Sequence, residues 1–210
     1  MSGNAESSLK IIYGPMFSGK TTELLRCHDR FVRAGMKCII YRPAIDTRVG
    51  TCAISQHGAC GGYRSDAPMA VIVADGLMEH LTEATSHEAI FIDEAQFMPD
   101  VFAFCEVLLA TPGKVIVVAA LDATSERVPF RRITDLTVLA KSVRKLSAVC
   151  MYCAHRGRPR GAKAPHTWKF DKDTREISIG GEEKYIAVCT MCYNHLRDLR
   201  TRGESPSIAH

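Results

Sequence analysis

The chain has 210 residues, 46% of them hydrophobic and 24% charged, enough for one substantial α/β core and a small appendage. A net charge of +4 suits a protein that handles anionic small molecules and does not by itself argue for one that coats DNA. Nine cysteines scattered among α/β signals are unlike a small disulfide scaffold and point to a reducing compartment.

The opening MSGNAESS has no basic start followed by an apolar run, so no signal peptide is expected. LKIIY (9–13) is a short strand ending at Gly14. In the helix after it, Leu24, Leu25, His28, Phe31 and Val32 share a face, and Gly35 is a natural stop. KCIIYRP is a second strand closed by Pro43, and residues 44–68 read as a long loop. MAVIVA and AIFID are expected to be buried strands flanking a helical DGLMEHLTEA. DVFAFCEVLLA is a helix with Val101, Phe104, Cys105, Leu108 and Leu109 on one face. KVIVVAAL is a strand too short to cross a bilayer, ITDLTVLAKS a helix and VRKLSAV a last strand. The alternation predicts an α/β fold, a mostly parallel sheet with helices on both faces. At Cys150 the composition shifts towards Cys, Arg, Gly, Lys and Pro. This divides the chain into an α/β domain over 1–144, a small metal-stapled domain over 145–193, and a helix with a polar tail over 194–210.

GPMFSGKT, from Gly14 to Thr21, matches G-x-x-x-x-G-K-[ST] between a strand and a helix, the context the motif needs. Backbone N–H groups of Gly14, Pro15, Met16, Phe17, Ser18 and Gly19, proline excepted, would turn inward around an anion at the helix N-terminus. Lys20 would reach the outer phosphates and Thr21 would bind Mg²⁺. The turn holds a nucleoside triphosphate. In AIFIDEAQF, Asp93 ends a strand, where it can serve the metal, and Glu94 is free to act as a base, with Gln96 placed on the phosphate side. Water and a substrate hydroxyl both remain open as acceptors.

CMYC at 150–153 and CTMC at 189–192 are two C-x-x-C pairs. Cys150, Cys153, Cys189 and Cys192 together would close a tetrahedral structural zinc site. Cys27, Cys38, Cys52, Cys60 and Cys105 read as buried or loop thiols, and His57 between Cys52 and Cys60 matches no common metal spacing. EISIG and KYIAV flank Gly180-Gly181 and read as a hairpin in a loop pinned by the metal.

GPMFSGKTTEL, DTR at 46–48, IDEAQF, AALD, KLSAVC, the paired C-x-x-C and IGGEEKY, in that order over about residues 9–193, resemble the zinc-containing, cytosolic-type (type II) thymidine kinases. The resemblance implies a P-loop, RecA-like fold with a zinc-stapled lasso. It implies transfer of the ATP γ-phosphate to the 5′-hydroxyl of thymidine, and of deoxyuridine, with Mg²⁺ and with feedback inhibition by dTTP. It further implies a cytoplasmic homotetramer with a nucleoside substrate and no nucleic-acid or membrane partner. Glu94 falls on the general base, Lys20 and Arg48 join it in catalysis, and Asp46 and Arg48 fall on the phosphate side. Asp93 and Thr21 fall at the metal. Glu176, Ile177, Ser178, Ile179 and Gly180 fall on the base-binding backbone, with Thr167 and Tyr185 beside the substrate. Met16, Phe97, Leu121 and Phe130 would line the apolar walls, although residues of those types are often plain core.

Relatives commonly carry an aromatic in the loop after ALD, where this chain has Ser125 in LDATSERVPF; Trp168 or Tyr152 is expected to compensate. The basic stretch HRGRPRGAK (155–163) reads as a solvated loop. Two rivals remain: a P-loop ATPase whose zinc ribbon binds nucleic acid, and a non-catalytic nucleotide sensor. The first leaves ISIGGEEKY unexplained and the second would more comfortably lack Glu94.

Overall fold

Strand β1 (Ser8–Gly14) buries Leu9, Ile11 and Ile12 and leads into helix α1 (Lys20–Arg33). The computed structural model describes residues 6–44, 69–157, 161–170 and 184–204. Leu24, Leu25, Cys27 and His28 form the buried stripe of α1, whereas Phe31 and Val32 are only half-buried. The Phe31 ring still meets Phe91, with centroids 6.1 Å apart. Gly35, at φ 81°, ends the helix in the left-handed conformation that glycine adopts without steric cost.

Next come β2 (Cys38–Pro43), β3 (Val71–Ala74), the short α2 (Leu81–Thr85) behind a 3₁₀ turn, and β4 (Ala89–Ile92). A second 3₁₀ turn (Ala95–Phe97), α3 (Val101–Leu109), β5 (Val115–Leu121), α4 (Arg131–Leu136) and β6 (Ser142–Lys145) complete this part. Six strands form one sheet in the order β3-β2-β4-β5-β1-β6. β2 runs parallel to β3 and β4, and β4 parallel to β5, with Ile40 opposite Phe91 and Ile90 opposite Ile116.

Side chains alternate across the sheet, as the two-residue period of a strand requires. Leu9, Ile11, Ile39, Tyr41, Ile90, Ile92, Ile116 and Val118 share a core with Val101, Phe104, Cys105 and Leu108 of α3 and Ile133 and Leu136 of α4. Phe91, on the other face, takes the His28 ring of α1 edge-on at 5.3 Å. The central strands β4 and β5 are therefore apolar on both sides, which explains their unbroken hydrophobic runs.

Two expectations change. β3 is an edge strand rather than a buried one, and Val73 is 50% exposed. VRKLSAV is not one strand: β6 is exposed at all four positions, and the chain then leaves for a separate pairing through β7 (Ala148–Val149).

The chain divides into two compact units, one of Met1–Tyr13, Lys20–Leu121 and Phe130–Arg144, the other of Gly14–Gly19, Asp122–Pro129 and Lys145–His210. The second contains β7, α5 (Met151–His155), β8 (Lys163–Ala164), β9 (His166–Lys169), β10 (Tyr185–Val188) and α6 (Thr190–Thr201). β7 pairs antiparallel with β8, and β9 with β10, placing Ile186 opposite Trp168. KYIAV thus pairs with HTWK; EISIG lies outside the described residues. Tyr152, Trp168, Ile186, Val188, Tyr193 and Leu196 surround the cysteines as a second core, and half-buried Phe17 packs against it. Among the described residues no helix is long and apolar enough to cross a membrane.

Candidate functional site

The segment from Gly14 to Thr21 joins β1 to α1 as a tight loop whose backbone enters the left-handed region at Phe17 (φ 62°) and Gly19 (φ 80°). Such alternation of backbone hand turns successive N–H groups to one side and makes an anion-binding concavity. Its two glycines serve different needs. A Cβ on Gly14 would lie 2.5 Å from the carbonyl oxygen of Leu146, so no side chain fits. At Gly19 nothing lies within 4 Å, and the positive φ is what favours glycine there. Ser18 braces the loop from within by donating its hydroxyl to the Pro15 carbonyl at 2.8 Å.

Thr21, in the first turn of α1, donates its hydroxyl to both oxygens of Asp93, at 3.2 and 3.0 Å. Asp93 is 3% exposed just after β4, and its backbone N–H donates to Tyr41 at 2.9 Å. Burial, and after it the charge of Glu94, pushes the Asp93 carboxyl from its ordinary 3.8 up to about 7; Arg42, Thr21 and Lys20 pull the other way. A buried acid in this state has unmet demand for positive charge, as expected of a cation ligand. Arg42 went unremarked in the sequence. It is a lone cation at the end of an apolar strand, and only the neighbouring positions of β2 and β4 bring it to Asp93.

Glu94 follows in the left-handed conformation, φ 50° and ψ 40°. Its Oε2 accepts from Gln96 Nε2 at 2.6 Å, and Gln96 Oε1 accepts from the Leu121 N–H at 2.9 Å. Lys20, Thr21, Asp93, Glu94, Gln96 and Leu121 therefore form one connected group. Phe130 lies in the first core at 8% exposure, and Phe97 and Leu121 are half-buried. Asp46, Arg48 and Glu176 to Gly180 lie outside the described residues, as do Cys52, His57, Cys60 and the middle of the basic stretch.

Within the second unit, the Met16 backbone N–H donates to the buried Thr167 hydroxyl at 3.0 Å. Tyr185 is buried on β10, opposite Lys169. The Ser125 loop is held by a residue the sequence reading passed over. Tyr193 donates its hydroxyl to the Ser125 carbonyl, the Arg127 guanidinium stacks 3.6 Å from its ring centroid, and Trp168 meets that ring edge-on. Trp168 thus acts at one remove, and Tyr152 lies elsewhere, against His195 and Arg156.

Sulfurs of Cys150, Cys153, Cys189 and Cys192 lie within 4.8 Å of one another, with Cys153–Cys192 at 3.4 Å and Cys153–Cys189 at 3.9 Å. Four thiolates around a tetrahedral zinc at ~2.3 Å would be about 3.8 Å apart. Burial, and after it the neighbouring sulfurs, pushes the Cys192 thiol well above its ordinary value. Four thiolates this close need a cation among them, and the donor set fits zinc. Backbone N–H groups of Cys153 and Cys189 donate to the Cys150 sulfur at 3.4 and 3.2 Å, which orients it within the cluster. None of the four is in a disulfide.

Comparison with known proteins agrees with this geometry. A family model described as thymidine kinase matches residues 7–193. The chain is 38% identical over 203 residues to the cytosolic thymidine kinase of Gallus gallus, covering 97% of this chain and 84% of that protein. It is 40% identical over 185 residues to that of Homo sapiens, covering 88% and 72%. With the thymidine kinase of Myxoma virus (strain Lausanne) it shares 39% identity over 185 residues, covering 88% and 95%. A phosphate loop, an acidic strand end, a four-cysteine centre and likeness along nearly the whole chain converge: this protein belongs to the thymidine kinase family.

Proposed function

We propose that the chain transfers the γ-phosphoryl group of ATP to the 5′-hydroxyl of thymidine, and of deoxyuridine, yielding the nucleoside monophosphate and ADP. The observation that carries the reading is the Thr21–Asp93 contact, which joins the end of the phosphate loop to the residue just before Glu94. Thr21 and Asp93 would hold Mg²⁺, which when bound neutralises charge on the triphosphate oxygens. Glu94 accepts the proton of the 5′-hydroxyl as the new O–P bond forms and the bond to the ADP oxygen breaks. Lys20 and the backbone of Gly14 to Gly19 hold the triphosphate in line; Arg48 and Asp46, outside the described residues, serve the phosphates.

For the nucleoside, the backbone of Glu176 to Gly180 reads the edge of thymine, with Thr167 and Tyr185 beside it and Met16, Phe97, Leu121 and Phe130 as apolar walls. Residues 145–193 act as a zinc-stapled lid on a 1–144 kinase domain. The working form is a cytoplasmic homotetramer with no nucleic-acid or membrane partner, and dTTP inhibits it. The test is ATP consumption against a panel of nucleosides, with DNA and RNA as controls. Turnover that depends on thymidine and deoxyuridine supports the reading; turnover that depends on a polynucleotide replaces it with a nucleic-acid ATPase.

A further inference from the structure

Gln96 closes a bridge whose polarity is decided by its partners. The Leu121 backbone N–H only donates, so the amide oxygen must face it, and that leaves the amide N–H to donate to the Glu94 carboxylate. The residue is 2% exposed, and burying polar groups without partners is costly, so the bridge is retained as a unit. Its ends belong to neighbouring strands: Leu121 closes β5, and Glu94 stands two residues beyond Ile92 of β4, which pairs with Val118. Glu94 at φ 50° occupies a conformation that a non-glycine residue keeps only where its surroundings hold it.

We infer that Gln96 is a positioning residue for the Glu94 carboxylate rather than a ligand of the ATP phosphates. Its amide oxygen accepts from Leu121, one amide N–H donates to Glu94, the side chain is buried between the two, and the 2.6 Å bond restricts rotation of the carboxylate. The inference rests on Glu94 being the base. Because the bridge also fixes the end of β5, it ties the position of the base to Leu121, proposed above as a wall of the nucleoside pocket.

A double-mutant cycle tests it. Gln96→Leu removes both bonds; Gln96→Glu keeps an acceptor for the Leu121 N–H and loses the donor to Glu94. Each is made in wild-type and Glu94→Gln protein, with steady-state kcat and KM for ATP and thymidine. Gln96→Leu should lower kcat roughly ten- to a hundredfold, the scale of a misplaced catalytic group, with the ATP KM little changed. Gln96→Glu should show a similar loss. In the Glu94→Gln background neither should lower kcat by more than about twofold, because residues that act as a unit are not additive. A raised ATP KM at unchanged kcat would make Gln96 a phosphate ligand and overturn the inference. So would an equal loss in both backgrounds, which would mean that Gln96 acts on the fold. Near-normal turnover of Glu94→Gln alone sinks the base assignment itself, and that failure is read without the Gln96 variants. If Gln96→Leu does not fold, Gln96→Glu completes the same cycle.

Discussion

The Tyr193 hydroxyl donates to the Ser125 carbonyl at 2.8 Å, across 68 positions of sequence. The buried ring at the start of α6 thereby anchors the loop after β5, while Arg127 covers one of its faces. Burial raises the Tyr193 phenol above its ordinary value, so it stays a donor across the neutral range. Tyr193→Phe should cost about 1 kcal/mol, the usual net worth of one hydrogen bond, or roughly 3 °C in a chain of this size. Tyr193→Leu also removes the cation–π and edge contacts and should cost several-fold more. Thermal melts of the two variants separate the hydroxyl from the ring; an unchanged melt for Tyr193→Phe would show that the Ser125 contact contributes nothing, and equal losses in both would show that the ring contacts add nothing to it.

Glu94→Gln should keep ATP binding and lower phosphorylation by roughly 10²–10⁴, the range for loss of a general base. Lys20→Ala should weaken both triphosphate binding and turnover, because Lys20 is buried beside the Asp93 carboxylate at the end of the phosphate loop. Equilibrium binding of a non-hydrolysable ATP analogue, measured beside turnover, distinguishes the two effects.

The folded chain should contain one zinc, held by Cys150, Cys153, Cys189 and Cys192. Cys189→Ala should release it and weaken thymidine binding more than ATP binding, because metal affinity at such sites is itself folding energy. Elemental analysis with thymidine titration is the check, and active protein free of zinc would contradict the assignment.

Asp93 makes stability depend on pH in an unusual direction. Its folded value of about 7 lies above the ordinary 3.8, so the folded state keeps a proton that the unfolded chain releases. That contribution is complete below the unfolded value and is lost as pH rises towards the folded one. Asp93→Asn, which mimics the protonated acid, should melt higher than wild type in magnesium-free buffer near pH 8. The gain should fade towards pH 4, and turnover should be low throughout. Melts from pH 4 to 8 are the measurement; a gain that is constant with pH would point to packing and not charge.

Inhibition by thymidine triphosphate should exceed that by deoxycytidine triphosphate. If the segment Glu176 to Gly180 reads thymine, the 5′-carbon must point towards the transferred phosphoryl group, so a triphosphate there extends into the loop from Gly14 to Thr21. One molecule then gains affinity from two subsites. Cytosine offers an amino donor where thymine has a carbonyl acceptor, and it lacks the methyl group. Steady-state inhibition at low and high thymidine measures the difference, and equal potency would assign inhibition to the phosphate loop alone.

What the sequence determined by itself was what travels in short contiguous stretches. Alternating apolar strands and helices announced a mostly parallel sheet, because burial on both faces leaves unbroken hydrophobic runs. Gly14 to Thr21 read as a phosphate loop because its function is local backbone conformation, and four cysteines in two pairs read as a metal centre because thiolates are its natural ligands. Tertiary structure decided which strands are neighbours, and with that everything contacts make across them. Only the sheet order makes β3 an edge, brings Arg42 to Asp93 and lets Gln96 reach Leu121. VRKLSAV carries no mark of the change of pairing at Leu146, and Tyr193 carries none of its bond to Ser125. Periodicity in a sequence reports how much of a side chain is buried; which partner it is buried against depends on packing between distant segments, and that has no local signature.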